Sequence, residues 1–272
     1  MSVFICPVCG EKLEITGNTY LCSKGHSFDR AKSGYVNLLL SKHIGKTVHG
    51  DNKLMVQARR SFLDKGYYVP LCDALCEAVI KNINGQTILD AGCGEGYYTS
   101  AIIGKLEAEN KAAQVCGIDI SKAAVEYSAK RCKSAELAVA SVFHIPVAES
   151  SCDMLVTLFA PYCGEEFIRV LKKDGVMIMA IPSADHLWEL KKAIYDTPYK
   201  NEVKPYELEG FGLIEKKHIK YDMELDSQED IDALFSMTPY YYRTGREQQE
   251  RLAGLGQLTT TADFELLVYR KF

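Results

Sequence analysis

The stretch Ile88-Leu-Asp90-Ala-Gly92-Cys93-Gly94-Glu95-Gly96-Tyr97 decides how the rest of this 272-residue chain reads. An apolar strand ends in an acid, and Gly-x-Gly-x-Gly then turns the backbone into a helix. Glycines at that spacing let the main chain pass close to a ligand, because no Cβ stands in the way. A dinucleotide loop reads Gly-x-Gly-x-x-Gly and offers a helix N-terminus to a pyrophosphate. Here the spacing is shorter and Asp90 stands before it. A carboxylate repels a pyrophosphate but attracts an ammonium or a sulfonium. The loop therefore points to S-adenosylmethionine rather than NAD.

Reading downstream, Val115-Cys-Gly-Ile-Asp119 is a second strand with an acid at its carboxyl end, where such folds hold ribose hydroxyls. Ala140-Ser141-Val142 ends a third strand, where an adenine edge would lie. A glycine turn beside buried acids with no ligand is the plainer alternative; three strand ends in step argue against it. Strand patterns at 87–89, 114–118, 137–140, 154–159 and 176–181 alternate with helical ones at 98–107, 123–132, 165–171 and 184–195. Such alternation predicts a parallel sheet with helices on both faces. Strands at 213–221 and 264–270, around a helix at 228–235, would close it as an antiparallel hairpin. The expected body is an α/β, class I (Rossmann-like) methyltransferase fold with a mostly parallel seven-stranded sheet.

Upstream lies different chemistry. Cys6-Pro-Val-Cys9, twelve residues, then Cys22-Ser-Lys-Gly-His26 supplies four soft or borderline ligands, the set zinc takes in a tetrahedron. A pair of free cysteines and a chance histidine are the bland alternative, and a redox Cys-x-x-Cys would need a following βαβ pattern that this head lacks. Four protein ligands close the coordination sphere, so the zinc is expected to be one structural ion. So small a head can hardly fold by burial alone, which couples its folding to the metal. The division expected is 1–40 for the zinc module, 41–66 for a basic connector and helix, and 67–272 for the body.

Composition agrees with a globular chain: 47% of residues are hydrophobic and 25% charged, enough to bury a sizeable core. The longest apolar runs are strand-sized and far below a membrane span. Met1 to Ile5 lacks the basic start of an export signal, so a cytoplasmic setting with reduced thiols is expected. Cys72, Cys76, Cys116, Cys132 and Cys152 then read as small buried hydrophobes; Cys93 and Cys163 stay open. The net charge of −4 hides an asymmetry. Residues 1–60 hold nine Lys/Arg against four acids, which leaves +5 there and −9 on the remainder. Lys42, Lys46, Lys53, Arg59 and Arg60 crowd the connector, which suits phosphate contacts. A merely solvated loop is the competing reading.

The residues also carry a family likeness. Cys6-Pro-Val-Cys9, Cys22 to Asp29, Ala31-Lys-Ser-Gly-Tyr-Val-Asn-Leu-Leu39, Gln57-Ala-Arg-Arg-Ser-Phe-Leu63 and Leu89 to Thr99 occur in that order. Ala160-Pro161, Pro182 to Leu187 and Met237-Thr-Pro239 follow. This set resembles the bacterial 23S rRNA (guanine-N1)-methyltransferase family, RlmA, nearly end to end. The resemblance implies methyl transfer to N1 of a guanine in a 23S rRNA hairpin, with the zinc module aiding rRNA recognition. It also implies that Tyr68, the loop Gly92-Cys93-Gly94-Glu95-Gly96 and His186 contact the cofactor. The match at 160–164 is partial, which leaves Tyr162, Cys163 and Gly164 without an implied role.

A paired guanine hides N1, so the target must flip out or lie in a loop. Phe159, Tyr162 and Tyr97 lie near the expected cofactor mouth; each is a candidate for stacking on the target base, and each reads more readily as core or cofactor wall. Glu165 or Glu166 could accept the N1 proton, but both open a helix, where carboxylates are favoured in any case; no general base is assigned. Two other readings compete: a small-molecule methyltransferase with a structural zinc head, and a non-enzymatic RNA-binding protein. Asp90 and Asp119 argue against the latter, the basic head against the former. Nothing separates a monomer from a homodimer.

Overall fold

A computed structural model describes residues 2–41, 51–203 and 205–272. The head begins with Leu13–Thr16 (β1), Thr19–Cys22 (β2) and Ser27–Asp29 (β3), a small antiparallel sheet in that order. Val36–Asn37 (β4) leaves it and pairs with the body. Lys42 and Lys46 of the connector lie outside the described residues. Lys53–Asp64 (α1) starts at Asn52, whose side chain accepts the Met55 N–H and caps the first turn. Val69–Asn82 (α2) follows, with Pro70 in its first turn, where a missing N–H costs nothing.

The body then alternates: Thr87–Ala91 (β5), Tyr97–Ala108 (α3), Gln114–Asp119 (β6), Lys122–Arg131 (α4), Glu136–Val139 (β7) and Cys152–Leu158 (β8). Gly164–Val170 (α5), Leu171–Pro182 (β9) and Trp188–Ile194 (α6) continue it. Phe211–Leu225 (β10), Gln228–Ser236 (α7), a 3-10 turn at Pro239–Tyr242, Arg246–Leu252 (α8) and Leu258–Lys271 (β11) complete it. The sheet order is β10-β11-β9-β8-β5-β6-β7-β4. In this sheet β11 alone runs opposite to the other described strands, as the closing hairpin with β10 requires. The sheet therefore has eight strands where seven were expected; the eighth is the two-residue β4, lent by the head to the outer edge of β7. Helix α6 starts later than the expected 184. Ser183 and Asp185 donate their N–H groups to Asp263, and Leu187 takes a left-handed φ of 57°, so that backbone is pinned to β11 instead.

Alternation along the strands sorts side chains to two faces. Ile88, Val115, Met154, Val156 and Ile178 pack under α2, α3 and α7. Leu89, Ala91, Cys116, Ile118, Leu155 and Met177 face the other way. That second face is covered by α5 and, in place of a further helix, by the head. The connection from β7 to β8, residues 140–151, holds no helix, although parallel strands are usually joined through one. Phe4, Cys6, Leu13, Tyr20 and Cys22 fill the gap and share one core with the sheet. Main-chain ties hold them there: Ile5 N–H to Pro146 O at 2.9 Å and Leu38 N–H to Val139 O at 3.0 Å. All ten cysteines are free, and Cys72, Cys76, Cys116, Cys132 and Cys152 are buried as small apolar residues. No described helix is long and apolar enough to cross a membrane.

Candidate functional site

The carboxyl ends of β5 and β6 bring two acids together. Asp90 is buried, and its Oδ2 accepts the Thr99 hydroxyl at 2.6 Å. Burial pushes its carboxyl up to about 7, against the Thr99 hydrogen bond and with help from the Asp119 charge. Asp119 is likewise raised by burial, partly offset by the N–H groups of Ser121 (2.7 Å) and Gly94 (3.0 Å). No cation figures among the influences on Asp90. A positive charge beside Asp90 would favour its ionised form, and the ammonium and sulfonium of S-adenosylmethionine could supply one.

The glycine loop is held from both sides. A Cβ on Gly92 would stand 2.4 Å from the Ala160 Cβ, and its φ is +93°, so only glycine lets the loop after β8 approach this closely. Beside Gly94 the space is open: no atom lies within 4 Å of where a Cβ would be. A ligand could approach the backbone there. Gly96 caps α3 against Ser128 of α4. The side chains of Cys93 and Glu95 turn away from the opening. Cys93 packs among Val125, Ala129 and Leu137. Buried Glu95 meets Arg131 at 2.9 Å in an ion contact without hydrogen-bond alignment.

At the end of β7, Ser141 Oγ accepts the Phe143 N–H at 3.2 Å and Val142 is buried. On the other side of the loop, Tyr68 and His186 are both buried against Phe264, with ring centroids 5.0 and 4.5 Å from it. His186 Nδ1 accepts the Asp263 N–H at 3.3 Å, which places the proton on Nε2. Burial, with the nearby Lys191 charge, draws its pKa down to about 3, so the ring is a neutral, fixed donor. Phe159, the first residue after β8, rests its ring 5.6 Å from Phe264 and is 48% exposed.

Some expected roles are not supported by placement. Glu166 accepts the Ile145 N–H at 2.6 Å and grips Arg169. Burial would raise its carboxyl, but Arg169 and that N–H outweigh it and hold the group ionised and structural. Arg59 turns inward: it pairs with Asp51 and reaches Met237 O at 3.5 Å, so it is not a free phosphate contact. Other contributors were missed. Thr99 gave no signal beyond its place in the first turn after the loop. Asp51 O accepts the Ser121 hydroxyl at 2.8 Å, and Asn52 donates to the Tyr242 hydroxyl at 2.9 Å. These ties lay the start of α1 across the end of β6, joining positions 70 and 190 residues apart.

In the head, the donor atoms of Cys6, Cys9, Cys22 and His26 all lie within 4.8 Å of one another. Cys9 Sγ and Cys22 Sγ are 3.7 Å apart, and His26 Nδ1 is 3.6 and 3.4 Å from the sulfurs of Cys6 and Cys22. A zinc tetrahedron has sulfur–sulfur edges of about 3.8 Å and sulfur–nitrogen edges of about 3.6 Å. The cluster matches that size. Burial opposes ionisation of Cys22, but the His26 N–H and ring outweigh it and draw the thiol down to about 6, close to the thiolate a metal binds.

Comparisons with known proteins decide the family. Residues 4–43 match the zinc-ribbon model described as RlmA, N-terminal, and residues 83–234 match a methyltransferase domain model. Bacillus subtilis YxjB, provisionally named a 23S rRNA (guanine-N(1)-)-methyltransferase, is 32% identical over 281 residues, covering 99% of this chain and 98% of that protein. The chain belongs to the 23S rRNA (guanine-N1)-methyltransferase family. A second relative in this family, the 23S rRNA (guanine(748)-N(1))-methyltransferase of Streptomyces fradiae, is 32% identical over 193 residues, covering 70% of this chain and 66% of that one. Among solved structures, Bacillus subtilis YcgJ has a TM-score of 0.51 at 14% identity and covers 74% of this chain and 97% of its own; it shows the fold alone. A methyltransferase domain for S-adenosylmethionine behind a zinc ribbon is thus the family architecture, and this chain has it.

Proposed function

We propose that this chain transfers a methyl group from S-adenosylmethionine to N1 of a guanine in a hairpin of 23S rRNA, in the cytoplasm. The observation that carries this is the end-to-end likeness to YxjB, which spans both the zinc-ribbon and the methyltransferase stretches. Bound cofactor supplies an electrophilic methyl on a sulfonium, so the chain's own task is alignment and charge. Asp90 faces the ammonium end and Asp119 the ribose hydroxyls. The open backbone at Gly94 lies along the ligand, within the loop Gly92 to Gly96. Ser141 and Val142 line the adenine edge. Tyr68 and neutral His186 wall the opposite side.

The bound cofactor would give up its methyl group to guanine N1 and be left as the neutral thioether, and the N1 proton would pass to solvent. Glu166 is committed to Arg169 and is not the acceptor of that proton. Cys6, Cys9, Cys22 and His26 hold the zinc, which stabilises the head and takes no part in transfer. Residues 1–40 present the rRNA, 41–66 connect, and 67–272 catalyse; every residue named comes from one copy of the chain.

Labelled cofactor with undermethylated 23S rRNA fragments tests this reading. N1-methylguanine in the RNA is expected. Label confined to small metabolites, or no label while cofactor binds, would overturn it.

A further inference from the structure

We propose that Phe159 is the platform on which the flipped target base stacks beside the methyl donor. The inference rests on the base-methylation reading above and names the residue that receives the acceptor. Phe159 immediately follows β8, and its N–H reaches Ala180 O of β9 at 3.4 Å. The next residue, Ala160, is the one whose Cβ closes on Gly92. One peptide unit therefore separates the Phe159 ring from the loop that cradles the donor.

Two features of this residue have no explanation within the fold itself. Its φ is +58°, a left-handed conformation that disfavours a side chain with a bulky Cβ substituent. Its ring is 48% exposed, so the strained backbone does not serve to bury it. What the strained turn does is stand the ring up at the carboxyl edge of the sheet. There it leans on Phe264, which in turn packs on His186 and Tyr68. A flat apolar surface, braced from behind and open in front, is what a base removed from its stack needs.

The other aromatic candidates are less exposed than Phe159. Tyr162 sits edge-on to Phe167 at 5.5 Å, and Tyr97 is edge-on to Tyr98 at 5.1 Å with Arg131 over its ring. Neither has a left-handed backbone. Stacking on one aromatic ring contributes on the order of 10- to 100-fold.

Phe159→Gly is the informative variant, because it removes the ring and relieves the backbone at once. Wild type, Phe159→Gly and Phe159→Trp are compared by single-turnover transfer to 23S rRNA fragments, cofactor binding and thermal melting. Phe159→Gly should lose at least about tenfold in transfer, with cofactor affinity within about twofold and an unchanged or raised melting point. Phe159→Trp should recover to within about threefold of wild type. Transfer by Phe159→Gly within about threefold of wild type, or a matching loss of cofactor affinity, overturns the platform alone. A wild-type chain that leaves rRNA unlabelled overturns the function reading, and the platform with it.

Discussion

Thr99, in the first turn of α3, donates its hydroxyl to the buried carboxylate of Asp90 across 2.6 Å. The bond favours the ionised acid, yet burial still leaves the group near 7. A neutral acid has no attraction for an ammonium. Cofactor affinity should therefore rise with pH between about 5.5 and 7, by up to about tenfold per unit, and then level off. Calorimetric titration across that range checks it. Thr99→Val should move the rise to higher pH, and Asp90→Asn should flatten it; a flat wild-type profile would sink the charge assignment.

The head shares its core with the sheet, so metal loss should be felt throughout. Stripping zinc, or Cys6→Ser, should lower the melting point of the whole chain by about 10 °C or more, on the order of 3–5 kcal/mol. Calorimetry with metal analysis would show it. A body transition that stays in place after the metal is gone would mean the head is only appended.

Gly92→Ala should fail twice over: the new methyl meets Ala160, and the left-handed φ of +93° disfavours any Cβ. We expect a loss of about 2 kcal/mol in stability and at least about tenfold in cofactor affinity. Pairing it with Ala160→Gly should recover part of the loss, because the clash goes while the backbone strain stays. Denaturant melts and cofactor titrations of the single and double variants measure both terms.

His186 gives an acid limb to stability. Its folded pKa of about 3 lies below the ordinary 6.5. Above about 6.5 both folded and unfolded rings are neutral, so its contribution is fully present. As pH falls from about 6.5 toward 3, the unfolded chain takes up a proton that the fold refuses. Stability should drop by up to about 1.4 kcal/mol per unit. Asp90 works oppositely, since its raised pKa weakens the cofactor-free fold as pH climbs from about 4 to 7. Subtracting melts of His186→Gln from wild type isolates the histidine; no pH-dependent difference would count against its burial in the neutral form.

Much of this was legible because it is local. The glycine loop, the acids at the ends of β5 and β6, and the closing hairpin announce themselves by spacing and period. What was illegible depends on partners far along the chain. Arg59 reads as a basic surface residue until Asp51 and Met237 are placed beside it. Glu95 reads as part of a ligand loop, but Arg131 of α4 claims its carboxylate. The two-residue β4 has no periodicity at all; only the free edge of β7 makes it a strand. Between β7 and β8, nothing local says that Phe4 would pair with Val147.

The head's position, taking the place of a crossover helix, also bears on how the protein is made. The head residues on the sheet's second face are synthesised before the strands they cover, which follow roughly a hundred residues later. A metal-closed ribbon can form at once and wait as a ready surface, whereas an unmetallated one leaves the nascent strands facing water. Zinc supplied during translation should then give a higher yield of folded chain than zinc added afterwards.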